Sequence, residues 1–127
     1  MSGAEVLRLE RIVKEFPGVK ALDNVTFDLQ AGEVHVLLGE NGAGKSTLMK
    51  VLVGVYHPEA GQILLKGQKV RMENPRQAQK QGIAIIYQEF NLVPYLTVAQ
   101  NIFLGREPRT RLGLVNQSRL QSESRRV

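Results

Sequence analysis

Residues 39–46 combine the residue types that a polyphosphate-binding loop requires. The segment reads Gly-Glu-Asn-Gly-Ala-Gly-Lys-Ser, so two glycines separated by four residues are followed directly by lysine and serine. Glycines let the backbone wrap closely around phosphates, with successive N–H groups directed inward as an anion site. Lys45 supplies a positive charge for the β- and γ-phosphates, and the Ser46 hydroxyl is of the type that ligates Mg²⁺. The pattern therefore predicts a phosphate-binding loop.

The sequence around this loop provides the structural context that the motif needs. Val34 to Leu38 is nearly continuous apolar sequence, which is typical of a strand covered on both faces. Residues 46–53 contain good helix formers with apolar residues at helical spacing, and Gly54 is a natural end for that helix. The loop is thus predicted to join a strand to the positive end of a helix. The alternative, a purely structural glycine turn, does not account for this arrangement.

Other segments predict a mixed α/β fold. Val6 to Phe16 is expected to form an antiparallel strand that ends at the turn Pro17-Gly18, and the alternation over residues 25–29 predicts a second, half-buried strand. Ile83 to Tyr87 is a second buried-type run, expected to lie parallel to residues 34–38 in the core sheet. His35, inside the first apolar run, is expected to be a core residue.

Shorter elements follow from local signals. Residues 63–65 predict a short strand that ends near Gly67. Asn74-Pro75 is typical of a helix start, and residues 97–100 fit a capping box that opens another helix at Thr97.

Composition and charge exclude several functional classes. The chain has 127 residues and no cysteine, so disulfide scaffolds and cysteine zinc sites are excluded. No apolar run approaches the roughly 20 residues needed to span a bilayer, and the N-terminus lacks a secretion signal. The net charge of +5 divides into +1 for residues 1–104 (11 Lys and Arg, 10 Asp and Glu) and +4 for residues 105–127 (6 Arg, 2 Glu). We expect a solvated basic tail rather than a nucleic-acid site.

Residues 39–48 resemble the ATP-binding subunit of ABC transporters. Tyr87-Gln88-Glu89 is similar to the glutamine loop of that family, and Phe16, followed by Pro-Gly-Val-Lys-Ala-Leu, lies where the family has an aromatic residue that stacks on adenine. The sequence Asn-Ile-Phe-Leu-Gly-Arg-Glu at 101–107 resembles the branch that imports monosaccharides such as ribose, galactose or xylose. The resemblance covers about residues 5–107.

This resemblance implies roles for named residues. Phe16 would stack on the base, Thr47 would add a hydroxyl near the α-phosphate, and Gln88 would contact Mg²⁺ or the attacking water and sense the membrane partner. The implied metal ligands are Ser46 and Gln88, the implied catalytic residues are Lys45 and Gln88, and the implied nucleotide-binding residues are Phe16, Gly39, Glu40, Asn41, Gly42, Ala43, Gly44, Lys45, Ser46 and Thr47. Simpler alternatives remain open: Phe16 as the last core residue of its strand, Gln88 as a polar residue at a strand end, and Thr47 as an ordinary first-turn threonine. Glu40 is interpreted as a solvent-facing spacer.

The resemblance also implies a fold, cofactors and partners. The fold would be the P-loop NTPase fold of an ABC ATPase, incomplete, with parallel core strands and an N-terminal antiparallel β portion. The cofactors would be ATP and Mg²⁺. The partners would be transmembrane permease subunits, a second ATPase half or subunit and, indirectly, a periplasmic or extracellular sugar-binding protein, with the chain peripheral at the cytoplasmic face of the inner membrane. Residues 1–107 would be the N-terminal part of the nucleotide-binding domain, and 108–127 a basic tail that begins the helical subdomain.

Several motifs of that family are missing from this sequence. It contains no Leu-Ser-Gly-Gly-Gln-like signature, no apolar strand that ends in Asp-Glu and no switch histidine. We therefore expect an N-terminal piece of a longer ATPase that does not hydrolyse ATP by itself. The alternatives are an ABC ATPase of another importer or a non-catalytic nucleotide-binding fragment. A GTPase is disfavoured because no Asn-Lys-x-Asp string occurs.

Overall fold

A four-stranded antiparallel sheet organises the N-terminal part of the chain. The computed structural model describes residues 3–88 and 92–127. Strands β1 (Glu5–Phe16), β2 (Val19–Gln30), β3 (Ala60–Leu65) and β4 (Gln68–Val70) lie in the order β2-β1-β3-β4, and each neighbouring pair is antiparallel. A tight turn at residues 17–18 joins β1 to β2, as predicted. The antiparallel β portion expected from the sequence is confirmed, and β4 is an additional short strand.

The described residues also contain helices whose starts follow the expected capping signals. They are α1 (Lys45–Leu52), α2 (Pro75–Lys80), α3 (Val98–Ile102) and α4 (Gln117–Ser124). The Asn74 side chain accepts a hydrogen bond from the Gln77 backbone N–H, and Thr97 forms the predicted capping box. None of the helices in the described ranges has the length and apolar character that crossing a bilayer requires.

The chain divides into two compact units, Met1–Ile86 and Tyr87–Val127. In the first unit, apolar side chains of the sheet, of α1 and α2 and of the segments that follow α1 and β4 form one buried cluster. The buried members are Leu7, Leu9, Ile12, Leu22, Leu48, Val51, Leu52, Val53, Ile63, Met72 and Ala78. This cluster positions the start of α1, and hence the glycine-rich loop, against the sheet.

The second unit contains more structure than the sequence predicted. The basic tail, which the sequence predicts to be solvated, forms α4, in which Leu120 is only 1% exposed. Asn116 caps this helix by accepting from the Arg119 N–H, and the Arg119 guanidinium lies 2.6 Å from the Glu123 carboxylate one turn later. The cap and the ion pair thus help to stabilise a helix that has few apolar residues. The predicted boundary between residues 107 and 108 stays a prediction.

The expected pair of parallel core strands is wrong for the described residues. Segments 34–38 and 83–87 carry no strand ladder, and their outer side chains are open to solvent: Val34 and Leu38 are each 91% exposed and Ile86 is 95% exposed. Leu37, Ile83 and Ile85 pack against the core cluster. One side of each segment is therefore covered by the core cluster, and nothing among the described residues packs on the other side. The strand ladder is missing because no described strand hydrogen-bonds alongside either segment.

His35 is likewise not a core residue. Its ring is exposed, contacts the Glu33 carboxylate at 3.1 Å and lies edge-on to Phe27. The prediction failed because it assumed cover on both faces of segment 34–38.

Candidate functional site

The glycine-rich loop leads directly into the first turn of α1. Gly44 is the N-cap residue, with a left-handed backbone at φ 94°, and the Leu48 N–H donates to its carbonyl at 2.9 Å. No side chain caps this helix and no acidic residue lies in its first turn. The first N–H groups and the positive end of the helix dipole are therefore free of local competition, which favours an anion.

Three glycines shape the loop for different reasons. A Cβ atom on Gly44 would lie 2.8 Å from the Ala21 carbonyl oxygen and 2.9 Å from Leu22 Cδ2, so the loop backbone packs directly on β2. A Cβ on Gly39 would lie 3.0 Å from Ala43 Cβ. Gly42 has φ 90° and open space around it. The glycine pattern thus serves the packing of the loop as well as close approach of a ligand.

The Lys45 side chain folds back across the loop. Its ammonium donates to the carbonyl oxygens of Gly39 and Glu40, the second at 2.9 Å. The positive charge is therefore held over the same loop whose backbone would contact phosphates. Phosphate oxygens would accept hydrogen bonds from this ammonium more strongly than neutral carbonyls do, because charge-assisted hydrogen bonds are the stronger kind.

The remaining predicted loop residues are accessible. Glu40, Asn41, Ala43 and Ser46 are exposed, and Thr47 is half-buried. The loop therefore presents its surface to solvent, where a ligand can reach it.

The donor set at the start of α1 suits a phosphate-bound Mg²⁺ better than a metal site made by the protein alone. Within residues 3–88 and 92–127, no three His, Cys, Asp or Glu side chains are grouped as metal ligands. Mg²⁺ commonly keeps several waters and takes only one or two protein ligands together with substrate phosphates. The exposed Ser46 hydroxyl fits that requirement.

Gln88 and the glycine-rich loop belong to different compact units of the chain. Gln88 is exposed and belongs to the second unit, whereas the loop belongs to the first. Its predicted role beside Ser46 stays a prediction. Glu89, quoted with it for the glutamine loop, lies outside the described residues.

Phe16 ends β1 in contact with a second aromatic ring. It is half-buried and lies outside the buried cluster of the sheet. The Tyr56 ring is 5.1 Å away between centroids at an interplanar angle of 74°, and Lys14 Nζ lies over the Phe16 ring, 5.2 Å from its centroid. This partly exposed setting is compatible with a ring that contacts a ligand.

The sequence did not single out the neighbours of Phe16. Tyr56 and Glu59 lie in the loop after α1, about 40 residues along the chain, and no periodicity links them to β1. The Lys14 ammonium donates to Glu59 Oε1 at 2.7 Å and the Glu15 N–H donates to Oε2 at 2.8 Å. These donors hold the pKa of Glu59 below its usual value. Only the fold brings these residues together.

Comparison with known proteins adds a family and close relatives. The model of the family described as ABC transporter matches residues 22–127. The chain is 62% identical over 120 residues to a ribose import ATP-binding protein of Streptomyces coelicolor, and 61% identical over 121 residues to a putative ribose/galactose/methyl galactoside import ATP-binding protein of Agrobacterium fabrum. These matches cover 94% and 95% of this chain but 23% and 24% of the relatives. The chain thus spans about a quarter of the length of the curated relatives it matches.

A solved structure shows the same backbone arrangement. The chain is similar to a nucleotide-free ATP-binding cassette from an ABC transporter, with a TM-score of 0.73 and 32% identity over 85% of this chain and 44% of that one. The predicted P-loop fold is therefore confirmed, in part-length form, together with its N-terminal antiparallel sheet.

Proposed function

Because the chain belongs to the ABC transporter family, we propose that it is the ATP-binding part of an import system for monosaccharides of the ribose and galactose type. The observation that carries the proposal is the Lys45 ammonium, held across a glycine-rich loop at the uncapped start of α1. The relatives named as sugar import ATP-binding proteins support the choice of substrate class.

Different groups of the loop would contact different parts of the ATP phosphates. Backbone N–H groups from Gly39 to Gly44 and the first turn of α1 would surround the phosphates, and Lys45 would neutralise charge on the β- and γ-phosphates. Glu40, Asn41 and Ala43 would contribute through their backbone N–H groups, as members of the loop that surrounds the phosphates.

Two further residues complete the nucleotide site in this proposal. Thr47 would add a hydroxyl near the α-phosphate, and Phe16 would stack on adenine. Aromatic stacking on a nucleic-acid base contributes about 1–3 kcal/mol when tested by alanine substitution. The partial exposure of Phe16 supports this role, because one part of the ring stays open to a ligand.

The proposal includes Mg²⁺, which when bound would neutralise charge on the β- and γ-phosphates during phosphoryl transfer. The Ser46 hydroxyl would hold it, with Gln88 as the second protein ligand or as the group that orients water. The exposed hydroxyl at the start of α1 supports the first assignment, and the family resemblance supports the second.

We also propose the partners of the complete system. The ATPase would act at the cytoplasmic face of the inner membrane with permease subunits and a second ATPase half or subunit. A sugar-binding protein outside that membrane would deliver the substrate to the permease. Support comes from the relatives, which are named as parts of import systems.

A titration tests the proposed nucleotide site. ATP with Mg²⁺ should bind the wild-type chain, and Lys45→Ala should lose most of that affinity, since it removes the only full positive charge of the loop segment 39–46. Lys69→Ala is the matched control, because it removes one exposed lysine from β4, at the opposite edge of the sheet from β2. Isothermal calorimetry measures all three chains. Equal affinity for wild type and Lys45→Ala would overturn the site.

A further inference from the structure

Phe16 belongs to a small cluster at the end of β1 that the family resemblance does not account for. Tyr56 and Phe16 form a nearly perpendicular ring pair, Lys14 Nζ lies over Phe16, and Lys50 Nζ lies over Tyr56 at 5.4 Å from its centroid. Cations over ring faces and perpendicular ring pairs are favourable arrangements. The cluster therefore holds the two rings in a defined mutual orientation.

Backbone and ionic contacts fix the members of this cluster on both sides. The N–H groups of Val55 and Tyr56 donate to the Lys50 carbonyl at 2.8 and 3.1 Å, which ties Tyr56 to the last turn of α1. On the other side, Lys14 is paired with Glu59, and its side chain is only 13% exposed. Tyr56 is thus anchored to the helix that begins at the phosphate loop.

We propose that Tyr56 is a positioning residue for the nucleotide base: it fixes the orientation of the Phe16 ring on which the base stacks. This inference rests on the proposed function, since it needs a base at Phe16. The perpendicular geometry carries it, because Tyr56 restricts rotation of the Phe16 side chain without being parallel to it. A ring that is already oriented loses less side-chain freedom when a ligand binds.

The experiment compares a ligand that has a base with one that has none. ATP and inorganic tripolyphosphate, each with Mg²⁺, are titrated into the wild-type chain, Tyr56→Leu and Tyr56→Phe. Tyr56→Leu should weaken ATP about three- to tenfold, the range expected for an aromatic pair, and leave tripolyphosphate affinity unchanged. Tyr56→Phe keeps the ring and should restore ATP affinity.

A double-mutant cycle separates positioning from a general structural role. Because Tyr56 acts through Phe16, Tyr56→Leu should have no further effect on ATP affinity in a Phe16→Ala chain. Circular dichroism checks that each variant folds, and Tyr56→Met replaces Tyr56→Leu if the leucine variant does not.

The outcomes distinguish this inference from the proposed function. Unchanged ATP affinity in Tyr56→Leu, equal weakening of ATP and tripolyphosphate, or a full additional effect in the Phe16→Ala chain would overturn the inference while the nucleotide site stands. If the wild-type chain bound neither ligand, the proposed function itself would fail, and the inference with it.

Discussion

Gly44 meets two separate requirements of the phosphate loop. Its backbone is left-handed, which any other L-residue adopts at a cost, and its Cα faces the backbone of β2 with no room for a side chain. The motif explains a glycine here by the approach of phosphates. The structure adds that the loop packs against Ala21 and Leu22. This packing requires a glycine even when no ligand is bound.

Substitution of Gly44 by alanine separates these requirements. Gly44→Ala should destabilise the fold by the left-handed strain of about 1–2 kcal/mol and by a further 1–3 kcal/mol, roughly, for the overlap with β2. Gly67→Ala is the control, because Gly67 also has positive φ but open space around it. Urea unfolding measures both variants. If Gly44→Ala and Gly67→Ala lost the same unfolding free energy, packing against β2 would be unimportant.

Glu59 makes the stability of the cluster around Phe16 depend on pH. Because its folded pKa is lowered by Lys14 and the Glu15 N–H, Glu59 stabilises the fold above its usual pKa of 4.5 and loses that contribution as pH falls through the lowered value. The difference in unfolding free energy between wild type and Glu59→Gln should therefore be constant near neutral pH and shrink in acid below pH 4.5.

Urea unfolding across that pH range measures the difference. Glu73→Gln is the comparison, since Glu73 pairs with the largely exposed Arg71 and such surface pairs contribute little. A pH-independent difference for Glu59→Gln would contradict the assignment.

At the scale of elements, local sequence signals predicted the strands and helices that depend mainly on contacts within their own segment. Strands β1 and β2, helix α1 and the capped starts of α2 and α3 follow from alternation, helical spacing and capping residues within each segment. Segments 34–38 and 83–87 failed because an apolar run reports a preference for burial, whereas a ladder needs a neighbouring strand. Helix α4 was missed because its support comes from one cap, one ion pair and Leu120, which give no periodic signal.

Asn101 connects α3 to the loop that precedes it. The two hydrogens of its amide Nδ2 are shared among the carbonyls of Val93, Leu96 and Thr97, which lie 3.0–3.3 Å away, and its Oδ1 accepts from the Val93 N–H at 2.8 Å. One side chain thus ties together the backbone of the turn at residues 93–97.

Removal of this amide should release the turn. Asn101→Ala should speed hydrogen exchange at residues 93–97 and destabilise the second unit by about 2–4 kcal/mol, at roughly 1 kcal/mol for each hydrogen bond. Gln121→Ala, which removes an exposed side-chain amide from α4 in the same unit, is the control for loss of an amide side chain. Exchange measured by mass spectrometry that stays unchanged at residues 93–97 would contradict this view of Asn101.

At the scale of the whole molecule, the predicted site residues are divided between the two compact units. The phosphate loop and Phe16 lie in the first unit, whereas Gln88 lies in the second. The loop was predictable because its eight residues are contiguous and chemically constrained. The surroundings of Phe16 were not, since Tyr56 and Glu59 reach it only through the path of the chain after α1.

The 127-residue chain should bind ATP without appreciable hydrolysis. Phosphoryl transfer to water needs a held metal ion, neutralised γ-phosphate charge and a positioned water. Lys45, Ser46 and Gln88 address only part of this, and the sequence has no Asp-Glu pair after an apolar strand. Phosphate release should stay below about 1 s⁻¹, an ordinary enzyme rate. A faster rate that disappears in Lys45→Ala, the control for contaminating ATPases, would show that a catalytic base was missed.

The contact between Gly44 and Ala21 also bears on the length of the ligand. Ala21 lies in the strand that begins three residues after Phe16, so one hairpin would carry the proposed base contact and also support the loop proposed to bind phosphates. The separation between the two is consequently set by the chain rather than adjusted to each ligand. A nucleoside monophosphate would then engage only one end of the site, and a molecule with a longer spacer between base and phosphates would lose one of its two contacts.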